Sequence, residues 1–499
     1  MSPLEIIILL PLLAAIAIWL GAPARATALG ASVVNLLLVL GLFIGYRGDA
    51  SIEGKMAYIN SHVVLSAPKI AFAVGADGIS LTLALLTVLV TLAAVWATTS
   101  KEKLHYGASL LIASGALGAF LCTDIFFLYA FHELALIPTF LMIALYGHGE
   151  KRQAAWRITI YLGVGSLILL AGLLGVVWYC RPPSGELTFD LLTLLQHPLK
   201  GDAPYASFAP INFFVLLVGF GTLVSLFPFH SWAAPAYAAS PTPVAMLHSG
   251  VLKKFGLYGL IRIALPLLPE AAKTPWVQHA LLYMLLGNIL VIGFVTIHQS
   301  RLDTMLANSS VMHMGYIFLG LAAGNAIGTN GAVLLMFGHG ISVALLFMIC
   351  GRLRNQLGTL EFAKLGGLAK NAPFLSLLFG IAAFASIGLP GLANFSGEVM
   401  IFFSTFESFK VAEGFTFLQV ATIFSLWGVV MSAVYMLRAY RKLFFGQAAS
   451  GLYVSDPGFG LRVPMILLAA ALFIVGVYPG SLLQVIDASL KTLATLAAN

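Results

Sequence analysis

Apolar runs about 20 residues long recur from one end of this chain to the other, and their length constrains the fold more than any other feature. A helix of roughly 20 residues crosses the hydrocarbon core of a bilayer, and these runs lack the period-two alternation of a barrel strand. Charge is correspondingly scarce. Only 9% of the 499 residues are Asp, Glu, Lys or Arg and 60% are hydrophobic, whereas a soluble domain carries about 25% charged residues. Lipid must cover most of this surface. The expected fold is an all-α polytopic membrane protein of about fourteen transmembrane helices, with centres near Pro11, Leu37, Val88, Gly115, Leu134, Ile168, Val218, Lys254, Leu286, Met314, Ile341, Gly388, Gly428 and Ala471.

The first run, Leu4 to Gly21, carries an acid, Glu5, and no basic segment before it, so it reads as a retained helix and not as a signal peptide. The longest polar connections are 47–78, 181–207 and 352–371. Of the 26 Lys and Arg residues, 15 fall in loops leaving odd-numbered spans, 9 fall on the opposite side, Arg262 among them, and Lys253 and Lys254 lie inside a span. Positive-inside bias places the odd loops in the cytoplasm and both termini outside. The net charge of +7 is thus explained by topology, and no nucleic-acid partner is expected.

Two spans are interrupted. Leu226-Phe-Pro-Phe-His-Ser-Trp232 ends the seventh, with Ser240-Pro-Thr-Pro243 opening the eighth, and Ile387-Gly-Leu-Pro-Gly391 splits the twelfth. Proline removes an amide donor, and in lipid such breaks survive only inside protein or beside a wet cavity. The breaks lie five spans apart, which predicts two inverted five-helix repeats of the kind secondary transporters use. One membrane domain, 1–499, is expected, with spans one to three in 1–100, a first repeat in 105–267, a second in 274–442 and a last helix in 462–487. Cys122, Cys180 and Cys350 form no CxxC pair and no phosphate-binding glycine loop follows a strand, so the chain is expected to hold no cofactor or redox centre of its own.

Ionisable residues inside the spans are then the informative ones, because each costs about 2.5–3.5 kcal/mol on insertion scales and marks a functional site by default. Glu133 is mid-span in His132-Glu-Leu-Ala-Leu-Ile-Pro138; the alternative is a neutral carboxyl making a structural hydrogen bond. Lys253 and Lys254 are adjacent and so point ~100° apart, and at most one is expected to face a narrow axis while the other snorkels or pairs. His313 and His339 sit in neighbouring spans, as relay or core histidines. Glu398 follows the second break, where water can reach it, or where it caps free amides. A Glu–Lys–His–His–Glu series is what proton hopping along the membrane plane requires, with neighbouring charges biasing one another's occupancy.

At these residues the chain resembles the antiporter-like subunits of respiratory complex I and the related Mrp-type cation/proton antiporters, and within that group the chain-M subfamily of bacterial NADH:quinone oxidoreductase. Besides the segments above, Gly75-Ala-Asp-Gly-Ile-Ser80, Ser240-Pro-Thr-Pro-Val244, Met312-His-Met-Gly315, Gly338-His-Gly340 and Gly397-Glu398 carry the likeness, in family order along the whole chain. The resemblance implies a proton-translocating subunit, with Glu133, Lys254, His313, His339 and Glu398 transferring protons. It implies other antiporter-like subunits and the lipid bilayer as partners, and NADH, FMN, iron–sulfur clusters and quinone on partner subunits. A Mrp-type antiporter or membrane hydrogenase subunit and a structural spacer are the rival readings. Three positions depart from the family pattern. Leu223 stands where a seventh-span lysine is usual, Pro235 and Tyr237 where an acid and a histidine are, and Asp303-Thr304 where a basic pair is. Glu133 therefore lacks its usual partner, for which His132, His230, His248 and Lys253 are the available substitutes.

Overall fold

The computed structural model describes residues 1–49, 51–52, 54–201, 205–407, 409–410, 414–447 and 453–498. Among them, eleven helices are long and apolar enough to cross a membrane, from Ala24–Gly48 to Phe459–Val477. These coincide with eleven of the expected spans. The other three expected centres fall in or beside shorter or interrupted helices: Pro3–Trp19, the run 242–267, and the pair Pro373–Ile387 and Ala393–Ser404. Helix starts follow local chemistry. Ser2 and Glu5 cap Pro3–Trp19 reciprocally, Asp77 accepts the amides of Ile79 and Ser80, and Asp124 accepts those of Phe126 and Phe127.

Gly78–Ala97, Leu302–Ala322 and Ala326–Leu357 are enclosed over their apolar stretches, while the outer helix Lys151–Tyr179 turns Trp156, Ile160 and Leu167 outward. Lipid removes the hydrophobic drive between helices, so close approach at small residues holds the bundle. A Cβ on Gly340 would lie 2.7 Å from the Gly250 carbonyl oxygen, and one on Gly331 2.9 Å from that of Gly397. The first approach seats the eighth span on the eleventh, and the second seats the twelfth on the eleventh.

Both breaks are present and alike in form. Ala209–Val224 stops at Ser225, φ +67°, and Pro373–Ile387 stops at Gly388, φ +84°, each followed within three residues by proline. The eighth span runs from Thr242 but contains two π-helical turns, His248–Leu252 and Leu260–Ala264. Such wide turns insert a residue and re-aim the side chains that follow.

Three features correct the expectation. The fold is not purely helical, because the connection 47–78 holds an antiparallel hairpin, Ala57–Ser66 with Lys69–Ala76. Its β-branched and aromatic residues suit a strand, and the Thr123 amide bonds to the Ala73 carbonyl, tying the hairpin to the fifth span. Arg262 is not in a loop but buried in the second π turn, its Nη2 2.7 Å from Asp77 Oδ2. Finally, Val477 ends the last long span and a separate helix, Gly480–Ala498, follows. It lies so close to the start of Gly78–Ala97 that a Cβ on Gly78 would be 2.0 Å from the Val485 carbonyl oxygen. Gly78→Ala is therefore expected to lift this terminal helix and speed tryptic cleavage at Lys491; an unchanged digestion rate would show that the contact is dispensable.

Candidate functional site

Lys254, His313, His339 and Glu398 are all buried, on the eighth, tenth, eleventh and twelfth spans respectively. Lys254 is fully buried. Its Nζ donates to the Ser249 carbonyl at 2.8 Å and lies 3.0 Å from His339 Nδ1. The Gly250–Gly340 approach makes this possible, since each glycine sits within one turn of the residue it delivers. His339 and His313 have ring centroids 5.5 Å apart. His313 Nδ1 is 2.8 Å from the Ser309 carbonyl and Nε2 is 2.8 Å from the Ser386 carbonyl. Carbonyl oxygens only accept, so a neutral ring donates to one of them and a ring that has taken up a second proton donates to both.

Ser386 leads directly to the second break. A Cβ on Gly388 would lie 2.3 Å from Glu398 Oε2, so the left-handed glycine leaves the space that this carboxyl occupies. Glu398 is 4% exposed. Its Oε1, both amide atoms of Asn394 one turn earlier, and the Tyr316 hydroxyl are buried without a hydrogen-bond partner among the described residues. Buried polar atoms of this kind are normally satisfied by ordered water. Ser309 Oγ also lies 2.8 Å from the Tyr435 hydroxyl, which joins the thirteenth span to the same cluster.

Glu133 is placed differently from the enclosed mid-span position expected of it. Its side chain is 36% exposed, on the same outward face as Phe126, Ile137 and Leu141, at a cavity of about 250 Å³ between the fifth and sixth spans. The helical period decides this, because a residue seven before or four after an outward position is itself outward. Ser166 Oγ hydrogen-bonds Glu133 Oε1, and His132 Nδ1 lies 3.3 Å from the same oxygen. His132 stacks on Phe255 of the eighth span at 4.1 Å, and Phe255 directly follows Lys254. Of the four substitutes for the missing seventh-span lysine, His132 is thus the one in contact with Glu133. Leu223 is simply buried, and His230 stacks on Phe227.

The second lysine also departs from expectation. Lys253 is as fully enclosed as Lys254, does not snorkel, and pairs with no acid among the described residues. It faces the tenth span, within 3.3 Å of the Ser310 carbonyl and 5.4 Å above the Tyr237 ring. Tyr237 OH in turn is 3.2 Å from His248 Nδ1. Sequence reasoning missed the small partners Ser166, Ser249, Ser309, Ser310, Ser386 and Asn394. Their signal was available, as hydroxyl and amide side chains inside otherwise apolar spans.

A family model described as NADH:quinone oxidoreductase/Mrp antiporter, TM, matches residues 122–425, which include Glu133, Lys253, Lys254, His313, His339 and Glu398. The chain belongs to this family. Among its relatives, NAD(P)H-quinone oxidoreductase chain 4 2 of Trichodesmium erythraeum is 34% identical over 466 residues, covering 91% of this chain and 80% of the relative. NADH-quinone oxidoreductase subunit M of Pseudomonas aeruginosa is 32% identical over 479 residues, covering 92% and 90%. A chain of respiratory complex I from Thermus thermophilus with bound NADH superposes with a TM-score of 0.88 at 29% identity, over 99% of this chain and all of that one. A chain of the Mrp complex from Dietzia sp. superposes with a TM-score of 0.83 at 19% identity, over 99% and 98%, which shows a shared fold. This family member is an integral membrane protein, and its relatives are subunits of an oxidoreductase assembly.

Proposed function

We propose that this chain is a proton-translocating membrane-arm subunit of a NADH:quinone oxidoreductase, coupling quinone reduction elsewhere in the complex to proton movement. One observation carries the reading: Lys254, His339, His313 and the Ser386–Gly388 break stand in contact sequence, ending at Glu398 among polar atoms that call for water. Ionisable groups at bilayer depth are retained where exchangeable protons reach them. Glu133, Lys254, His313, His339 and Glu398 are the transfer groups, and His132 assists Glu133. The comparisons favour this over the Mrp-type reading, since identities of 32% and 34% are to quinone oxidoreductase chains and the Mrp likeness is one of fold.

The outward placement of Glu133 supports a neighbour. A carboxyl left facing lipid costs about 2.5–3.5 kcal/mol, so a second antiporter-like subunit covers the groove between the fifth and sixth spans. The matching form of the two breaks, five spans apart, supports the inverted repeats 105–267 and 274–442 within one domain, 1–499. Both termini lie outside a bacterial inner membrane, and NADH, FMN, iron–sulfur clusters and quinone belong to partner subunits.

Glu133→Gln, measured in the assembled complex, is expected to lower proton pumping and the coupled quinone reductase rate about tenfold, with assembly intact because glutamine still accepts from Ser166. Parent-like pumping would remove Glu133 from the path.

A further inference from the structure

We propose that Lys253 is a second proton-exchanging lysine, joining Tyr237, just past the break that ends the seventh span, and His248 of the eighth span to the central histidine His313. The proposal rests on the reading that the enclosed series carries protons.

Adjacent residues on a helix diverge by ~100°, and here the divergence gives each lysine its own neighbour. Lys254 meets His339 on the eleventh span, while Lys253 Nζ lies 3.3 Å from the Ser310 carbonyl and 3.4 Å from the Ser310 hydroxyl on the tenth. Ser310 is three residues before His313, on the same helix face. On the other side the ammonium sits over the Tyr237 ring, whose hydroxyl contacts His248 Nδ1. The π turn is what closes this arrangement, for the Lys253 amide bonds to the His248 carbonyl five residues back, at 3.2 Å. His248 Nε2 is buried with no hydrogen-bond partner among the described residues.

The molecule supplies its own contrast for what a structural cation looks like. Buried Arg262 is paired with Asp77, and Arg354 is paired with Asp303. Among the described residues neither Lys253 nor Lys254 has a carboxylate within ion-pair distance. A permanently charged ammonium so placed would pay its full desolvation cost with no counter-charge. A group that is charged only in passing avoids that cost. Two neighbouring ammoniums also oppose each other, so the pair loads its protons alternately and titrates as a unit. In the step itself, the Lys253 ammonium passes one proton through the Ser310 hydroxyl toward His313 and becomes a neutral amine. A proton arriving by way of His248 restores it.

The test uses the native complex in sealed membrane vesicles, with pumping read against quinone reduction in Lys253→Met, Lys253→Arg, Lys254→Ala and Glu398→Gln. Lys253→Met is expected to lower the protons moved per quinone reduced about tenfold, and arginine, which keeps the charge but does not release its proton, is expected not to restore them. Parent-like pumping in Lys253→Met, or rescue by Lys253→Arg, would overturn the proposal. So would failure of both variants to assemble, which marks a structural cation. If Lys254→Ala and Glu398→Gln also pump normally, the proton-path reading itself fails; if they are depressed while the Lys253 variants are normal, only the role of Lys253 falls.

Discussion

Lys254→Ala is expected to lower coupled proton translocation by roughly a hundredfold or more, the effect of removing a positioned proton-transfer group, while the assembled complex survives. Both halves of that expectation come from its surroundings. Lys254 is the sole enclosed side chain that His339 Nδ1 contacts among the described residues, so its loss interrupts the series before the histidines. Yet among the described residues it pairs with no acid, so removing it strands no buried counter-charge there. The destabilisation that follows when one partner of a buried pair is deleted does not arise. Pumping measured with a pH-sensitive dye in vesicles, against subunit content on a native gel, separates the two quantities. Normal pumping with normal content would show that protons bypass the eighth span.

Arg262→Ala should behave in the opposite way, with stability falling first. Arg262 and Asp77 are 4% and 3% exposed in their side chains and meet at 2.7 Å. Deleting one member of such a pair costs about 3–5 kcal/mol, because the other charge stays buried. Asp77 is also the cap of Gly78–Ala97, accepting from Ile79 at 3.1 Å and Ser80 at 3.0 Å, and that helix is enclosed over its apolar stretch. The damage therefore reaches the centre of the bundle. It reaches the site too, since Arg262 lies two turns beyond Lys254 and pins the end of the eighth span. A double variant, Arg262→Met with Asp77→Asn, leaves no unpaired charge and keeps a capping oxygen, so it is expected to recover much of the loss. Thermal unfolding of the purified protein in detergent tests this; a single variant as stable as the parent would show that water already reaches the pair.

How far the molecule could be read in advance varies by the kind of force involved. The length and apolarity of the runs determined a helical membrane protein, because backbone groups in lipid have no partner but their own helix. Proline and glycine placed both breaks. The cost of charge at bilayer depth singled out Lys254, His313, His339 and Glu398, which the structure brings into one sequence of contacts. Tertiary structure alone decided the remainder. That Glu133 looks outward, that Lys253 is as enclosed as Lys254, and that Arg262 leaves its loop to meet Asp77 depend on which helix face packs against which neighbour. The hairpin 57–76 depends on pairing between segments and on its anchor at Thr123. Local composition records how much a residue costs to bury, but the direction it faces comes from contacts distant in the chain, such as Gly250 against Gly340, and from π turns that rotate a helix by one residue.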